Sequence, residues 1–229
     1  MKKLVVLTGA GISAESGIPT FRDAGGLWEG YDVMEVASIE GWIKNPALVL
    51  DFYNQRRKKA LQVQPNIGHK ILAELQEMYD VTVVTQNVDN LHEQAGSTDV
   101  IHLHGSLFES RSQDDPNMIF PIEGWELKLG DRCPMGSQLR PNIVWFGEIV
   151  SKIEDAALVT AEADIFLVVG TSLQVYPAAS LIEFAPEHAR KLVVDPGQMD
   201  FSPHQKITFI NEKASTGLVK ARELLLNLP

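Results

Sequence analysis

Cysteine is almost missing from this chain: Cys133 is the single one among 229 residues. No internal disulfide can form, and one thiolate is a poor basis for a structural zinc site. Long apolar runs are missing too. No stretch reaches the ~18 residues that a membrane-spanning helix needs. The opening, Met1-Lys2-Lys3-Leu4, leads into an apolar run that glycine breaks too soon for a secretory signal. The expectation is a cytoplasmic protein with no membrane partner. Excess positive charge is absent as well. The formal net charge is −10 at pH 7, which argues against nucleic acid as the main partner, because phosphate binding needs positive surface. An acidic surface suits basic partners such as lysine-bearing peptides, although it commonly serves solubility alone.

What is present reads as an α/β protein. Strand-like runs at 4–8, 81–85, 100–104, 143–146, 165–169, 191–194 and 207–210 alternate with helical runs, the pattern of a parallel sheet. Helices are expected at 46–62, opened by Asn45-Pro46 as cap and first turn, and at 67–78 with Ile71, Leu72, Leu75 and Met78 on one face. Others are expected at 154–163, 177–185 and 215–226. Residues 22–44 lack clear periodicity. Residues 109–142 are rich in proline and glycine and too long for a plain connection. The fold class is a Rossmann-like doubly wound parallel sheet with a small inserted lobe, in a single domain. The large part is expected at about 1–22, 79–108 and 142–229, and the lobe at about 23–78 and 109–141.

The first strand runs into Gly9-Ala10-Gly11-Ile12-Ser13-Ala14. A strand, a glycine turn and a helix start direct backbone N–H groups at one spot, where a phosphate can sit. Gly9-x-Gly11-x-x-Ala14 fits the dinucleotide fingerprint. The usual acidic partner about twenty residues on is not evident, since Asp23 and Glu29 end no convincing strand. A glycine turn that only packs a helix on a sheet remains open from spacing alone. Pro19 interrupts any continuing helix, which puts Phe21 and Arg22 on a loop. Four polar residues, Thr85, Gln86, Asn87 and Asp89, cluster at the next strand end, either as ligand groups or as a helix cap. His102 and His104 lie two apart and so would share one side of a strand. With His92 they could suggest a metal site, or one packed and one exposed histidine.

Several strings together resemble the sirtuins, NAD-dependent protein lysine deacylases. Gly-Ala-Gly-Ile-Ser-x-x-Ser-Gly-Ile-Pro-x-Phe-Arg begins at Gly9. Thr-Gln-Asn-x-Asp-x-Leu-His begins at Thr85, and Leu-His-Gly-Ser at Leu103. Arg-Pro-x-Val-Val-Trp-Phe-Gly-Glu is matched from Arg140, and Gly170-Thr171-Ser172 continues the series. The resemblance covers about residues 4 to 180. It implies NAD as cofactor and acylated lysine side chains of proteins as partners. Gly9, Ala10, Gly11, Ile12 and Ser13 would line the dinucleotide with Phe21 and Arg22. Gln86 would touch the nicotinamide-side ribose, and Asn87 and Asp89 the nicotinamide. Gly170, Thr171 and Ser172 would meet the phosphate and adenosine side. Asp195 would lie near the adenosine ribose, and Ala214 would offer its backbone to adenine. His104 would be the catalytic base, an imidazole whose ordinary pKa of about 6.5 suits that task. Arg22 and Asn87 would hold the reacting groups in line. Val144, Phe146, Gly147 and Val175 would face the peptide and its acyl-lysine. His102 stands where the family often has an acidic residue and is assigned no role.

Two departures bear on the expectation. The family's two Cys-x-x-Cys pairs fall at Ser112 and Asp115 and at Cys133 and Gly136, so no zinc is expected. The lobe would then be held by packing of Met118, Ile119, Phe120, Ile122, Trp125 and Leu127. Secondly, Tyr53 and Arg56 lie three apart on a predicted helix and share a face. They can be read as part of a solvated basic run, Arg56-Arg57-Lys58-Lys59. They also resemble the Tyr-x-x-Arg of sirtuins that remove succinyl and malonyl groups, where hydroxyl and guanidinium hold a carboxylate. The expected function is therefore NAD-dependent deacylation, favouring succinyl- and malonyl-lysine over or alongside acetyl-lysine. The alternatives are an ADP-ribosyltransferase using the same pocket and a non-catalytic ADP-ribose-binding module.

Overall fold

The computed structural model describes residues 1–20, 27–28, 30–199, 201–202 and 206–227, with the backbone alone at 27–28. Phe21 and Arg22 lie outside the described residues. In chain order come β1 (Lys3–Thr8), α1 (Ala10–Ala14), β2 (Leu27–Trp28), β3 (Tyr31–Asp32), α2 (Val33–Val36), α3 (Ile39–Lys44), α4 (Pro46–Ala60) and α5 (Ile67–Glu74). They are followed by β4 (Asp80–Thr85), α6 (Leu91–Ala95), β5 (Val100–His102), β6 (Gly105–Ser112), β7 (Ile119–Pro121) and β8 (Leu139–Ile143). The chain continues through α7 (Ile153–Ala161), β9 (Ile165–Val169), α8 (Leu181–Phe184), β10 (Arg190–Val194), β11 (Ile207–Ile210) and α9 (Ala214–Leu226). No helix among the described residues is long and apolar enough to cross a membrane.

The chain divides into two compact units. The first comprises Met1–Ile18, Gln64–Leu103 and Val150–Pro229, and the second Pro19–Val63 and His104–Ile149. In the first, a six-stranded sheet has the order β11-β10-β9-β1-β4-β5, parallel throughout. Its central strands are continuous runs of buried Val, Ile, Leu and Phe, as a sheet covered on both faces requires. Leu4, Val6, Val83 and Leu167 face a core closed by α5 and α9. Val5, Leu7, Val84 and Phe166 face the other, which includes Ala156 from α7 and Leu181 from α8.

The boundaries of the lobe differ from expectation. Residues 64–78 belong to the sheet unit, because Gly68 of α5 packs closely against Leu218 and Ile12. That helix is also shorter than expected: it passes into a 3₁₀ turn at Leu75–Glu77, which leaves Met78 exposed. Residues 104–108 and 142–149 belong to the lobe, because β6 pairs antiparallel with both β7 and β8. The strand expected at 143–146 ends at Ile143, and the one expected at 100–104 ends at His102. Residues 22–44, without visible periodicity, contain two short helices opened by side-chain caps. Asp32 accepts from the Met34 N–H, and Ser38 from the Gly41 N–H.

Of the six residues expected to hold the lobe, Met118, Phe120 and Ile122 are only half-buried. Leu127 is buried, but Ile119 and Trp125 are 46% and 39% exposed. Arg57, read as part of a solvated basic run, is wholly buried. It donates to the Leu107 carbonyl, to Asn54 Oδ1 at 2.8 Å and to the Trp125 carbonyl at 2.8 Å. Asn54 in turn donates to the Leu127 carbonyl at 2.9 Å and accepts from its N–H at 2.9 Å. One turn of α4 therefore ties β6 to the 125–127 segment. Burial lowers the Arg57 pKa to about 10, so the guanidinium stays charged at neutral pH.

Removing that guanidinium strands two buried carbonyls, at ~1–3 kcal/mol each. Arg57→Met is expected to cost roughly 2–5 kcal/mol in urea denaturation. Lys58→Ala and Lys59→Ala, both on the exposed side, should stay within ~0.5 kcal/mol. Equal effects of Arg57→Met and Lys59→Ala would contradict this account of the lobe.

Candidate functional site

In the sheet unit, β10, β9, β1 and β4 are neighbours, so the strand ends singled out in the sequence are adjacent. The two glycine turns there interlock. Gly9 N–H donates to the Val169 carbonyl at 3.0 Å and Gly11 N–H to the Gly170 carbonyl at 2.9 Å. A Cβ on Gly11 would stand 2.7 Å from Gly170 Cα, and one on Gly170 2.4 Å from the Ile12 nitrogen. Gly170 also has φ +64°, the left-handed region that glycine enters without strain. These glycines are therefore demanded first by turn-on-turn packing. Ile12 is buried in the core and Ser13 is buried beside it, whereas Ala10, Thr171 and Ser172 remain half-buried at the edge.

Asn87 and Asp89 are brought to Ser13. Asn87 Nδ2 donates to the Gly9 carbonyl and to Ser13 Oγ, both at 3.1 Å. With its NH₂ so used, Asn87 has its carbonyl oxygen to offer a ligand. Asp89 Oδ1 accepts from Leu91 N–H at 3.1 Å, although the cap position of α6 is Asn90, whose side chain makes no capping bond. Burial raises the Asp89 pKa, opposed by the Leu91 N–H and the Ser13 hydroxyl. Gln86 reaches across to Thr171 Oγ1 at 3.2 Å. Farther along the edge, Asp195 Oδ1 accepts from Gly197 N–H at 2.8 Å. Ala214 is buried at the start of α9, where Glu15 takes the Ser215 N–H at 2.9 Å and the Ser215 hydroxyl at 2.7 Å. Val175 is exposed.

The three histidines of this region do not form a metal site. His102 and His104 do not share a strand face, because β5 stops at His102 and Leu103-His104 form a turn before Gly105, at φ +80°. His102 Nε2 is 2.6 Å from Glu93 Oε1 and its Nδ1 is 3.1 Å from the Asn87 carbonyl. Burial opposes charge on His102, but the Glu93 carboxylate prevails and raises its pKa. His92 is buried, with Nε2 2.9 Å from Thr8 Oγ1, which itself donates to Thr85 Oγ1 at 2.8 Å. Thr85 Oγ1 accepts from Asn87 N–H at 3.0 Å. His69, which nothing in the sequence pattern marked, stacks edge-on against His92 with ring centroids 4.9 Å apart. Burial lowers the pKa of both, His69 to about 4. Among the described residues no group of three or more His, Cys, Asp or Glu is placed to hold a metal ion.

In the second unit, His104 is half-buried at the start of β6, and its carbonyl accepts from Val144 N–H at 3.0 Å. Residues 144–148 form a turn, closed because Glu148 accepts from Trp145 N–H at 2.8 Å and from Arg140 through both carboxylate oxygens. Arg111 adds a third cationic contact at 2.8 Å. Burial pushes the Glu148 pKa up, but Arg140 and Arg111 prevail and hold it below the usual carboxylate value. Val144 is half-buried, and Phe146 and Gly147 are exposed. Phe146 N–H donates to the Ala37 carbonyl at 2.9 Å. Tyr53 and Arg56 are both buried on α4, so they are not part of a solvated run. Of Ser112, Asp115, Cys133 and Gly136, Cys133 is buried and its thiol hydrogen-bonds Ser112, whose Oγ accepts from the Asp114 and Asp115 N–H groups at 3.3 Å.

With this geometry in view, relatives can be compared. The Sir2 family profile matches residues 9–177, and the chain belongs to that family. A Bacteroides thetaiotaomicron protein named NAD-dependent protein deacylase is 52% identical over 234 residues, covering 100% of both chains. A Helicobacter pylori protein of the same name is 55% identical over 214 residues, covering 93% of each. A solved Sir2 homolog–NAD complex has a TM-score of 0.85 at 39% identity, over 98% of this chain and 91% of that one.

His69 and His92 are neutral when folded and regain their ordinary pKa near 6.5 on unfolding. The unfolded state thus takes up protons first as pH falls. The stability at stake is present above about pH 6.5 and is lost toward pH 4, where His69 protonates in place. Replacing His69 with Phe should remove one such proton. The difference in unfolding free energy between variant and wild type should then change by ~1.4 kcal/mol per pH unit between pH 6 and 4.5. Parallel pH profiles in urea denaturation would rule the assignment out.

Proposed function

We propose that this chain is an NAD-dependent protein lysine deacylase that moves an acyl group from lysine to ADP-ribose. The observation that carries the reading is the meeting of Ser13, Asn87 and Asp89, each more than nine-tenths buried, at the carboxyl ends of neighbouring strands. An amide oxygen and a carboxylate fit the donors of a nicotinamide carboxamide, and ligands of open α/β sheets bind at such ends. The shared name of the two bacterial relatives and the homologue solved with NAD support the same reading.

When bound, NAD supplies a ribose carbon from which nicotinamide can leave. Asp89 accepts from the carboxamide, Asn87 orients the reacting ribose, and Gln86 contacts that ribose. Gly9, Ala10, Gly11, Ile12 and Ser13 line the phosphate side together with Gly170, Thr171 and Ser172. Asp195 and Ala214 extend the site toward adenosine. Phe21 and Arg22 are assigned by family resemblance alone. His104 takes the proton of a ribose hydroxyl, which frees that oxygen to receive the acyl group. Val144, Phe146, Gly147 and Val175 receive the peptide and its acyl-lysine. No structural zinc is needed on this reading, because the buried Arg57 and Asn54 network ties the segments of the second unit together.

The reading extends to acyl groups that end in a carboxylate. Tyr53 and Arg56 are both buried, one helical turn apart, and the Arg56 charge is near enough to act on the Tyr53 hydroxyl. A hydroxyl beside a guanidinium matches a succinyl or malonyl terminus.

His104→Ala should lower NAD-dependent deacylation by at least ~10²-fold, the usual contribution of a general base. Unchanged turnover would end the assignment. Arg56→Met should lower the ratio of succinyl-lysine to acetyl-lysine kcat/KM by about tenfold or more, the range for a hydrogen bond to a charged group. Equal losses on both substrates would contradict the carboxylate pairing.

A further inference from the structure

We propose that Trp145 sets the direction in which the Tyr53 hydroxyl donates, and so acts as a specificity-determining positioning residue for acyl groups that end in a carboxylate. The inference rests on the acyl reading above and adds a residue which that reading does not use.

Trp145 Nε1 lies 3.0 Å from Tyr53 Oη. An indole N–H can only donate, so the phenol oxygen must be the acceptor. The phenol O–H prefers the plane of its ring, which leaves it two orientations. The indole proton occupies one side, and the hydroxyl proton is turned to the other. Among the described residues Trp145 is the partner shown for this hydroxyl, so its own proton is not spent on the protein. Tyr53 is wholly buried, where a hydroxyl without an acceptor is costly. A carboxylate brought beside Arg56 would supply that acceptor, and a methyl-terminated acyl group would not. Burial pushes the Tyr53 pKa up against the opposing Arg56 charge, so the proton to be donated is retained at working pH.

The indole is well placed to impose a direction, because it is itself fixed. Its backbone N–H is held by Glu148 at 2.8 Å. The Arg140 guanidinium lies 3.3 Å from its ring centroid, and Trp42 and Tyr53 pack beside it at 5.8 and 6.4 Å. Trp145→Phe keeps an aromatic ring for Arg140 while deleting the N–H.

A double-mutant cycle tests the coupling. The readout is the ratio of succinyl-lysine to acetyl-lysine kcat/KM, measured on one preparation so that the fraction of folded protein cancels. Trp145→Phe should lower the ratio roughly three- to tenfold in the wild-type background, the range for one neutral hydrogen bond. In a Tyr53→Phe background it should have almost no further effect. An unchanged ratio, or the same fall in both backgrounds, overturns the role of Trp145 while the acyl reading stands. No turnover of succinyl-lysine by the wild type overturns the acyl reading, and this inference with it. A second measurement needs no variant of Trp145. Its indole N–H resonance should shift when a succinyl-lysine peptide binds and stay in place with an acetyl-lysine peptide. No difference between the two peptides overturns the proposal.

Discussion

Backbone packed directly on backbone is the constraint from which the sheet unit's polar edge follows. The turn after β1 and the turn after β9 approach so closely that Gly11 and Gly170 leave no room for a Cβ on either. That approach fixes the Gly9 carbonyl, to which Asn87 is tied, and brings Ser13 to the Asn87 amide. Asn87 cannot turn its NH₂ outward without abandoning both partners. The acceptor character of the edge is thus a consequence of packing, set before any ligand arrives. This is the economy of a preorganised polar site: the dipoles need little rearrangement when charge develops.

The second unit solves a different problem by similar means. Its three-stranded sheet is small, and several of its apolar side chains are half-exposed. Beside buried apolar side chains such as Val49, Phe52, Tyr53 and Trp145, its interior holds two buried polar knots. Arg57 and Asn54 gather backbone groups from 107, 125 and 127 around one turn of α4. Glu148 gathers Arg140, Arg111 and the Trp145 N–H around the 144–148 turn. Such knots stabilise only when nearly all of their members are paired. They also restrict rotamers, which a loose apolar cluster does not. A small unit that must present ordered side chains gains from that restriction.

Much of the large unit was legible from the sequence because its signals are local. Continuous β-branched runs marked the strands, and the carboxyl-end rule marked the residues after them. The lobe was less legible. Arg57 looked solvated because a charge run carries no sign of which members point inward; the 3.6-residue period buries Arg56 and Arg57 and leaves Lys58 and Lys59 outside. His102 and His104 looked like strand neighbours because alternation is blind to the turn that Gly105 makes. His69 carried no signal, since its partner His92 comes from a helix more than twenty residues on. The pairing of Glu148 with Arg140 was not singled out, although an acid there closes the apolar stretch that Arg140 opens. The Arg57 and His69 misses share one cause: a buried polar contact between distant segments has no period to detect.

Acyl transfer to a dinucleotide held at the sheet's carboxyl edge, as proposed, leaves a distinct set of products. The most direct measurement incubates the protein with NAD and a succinyl-lysine peptide and weighs every product by mass spectrometry. Free lysine peptide, nicotinamide and succinyl-ADP-ribose are expected in equal amounts. An ADP-ribosylated peptide that keeps its succinyl group, or intact peptide with no nicotinamide released, would contradict it.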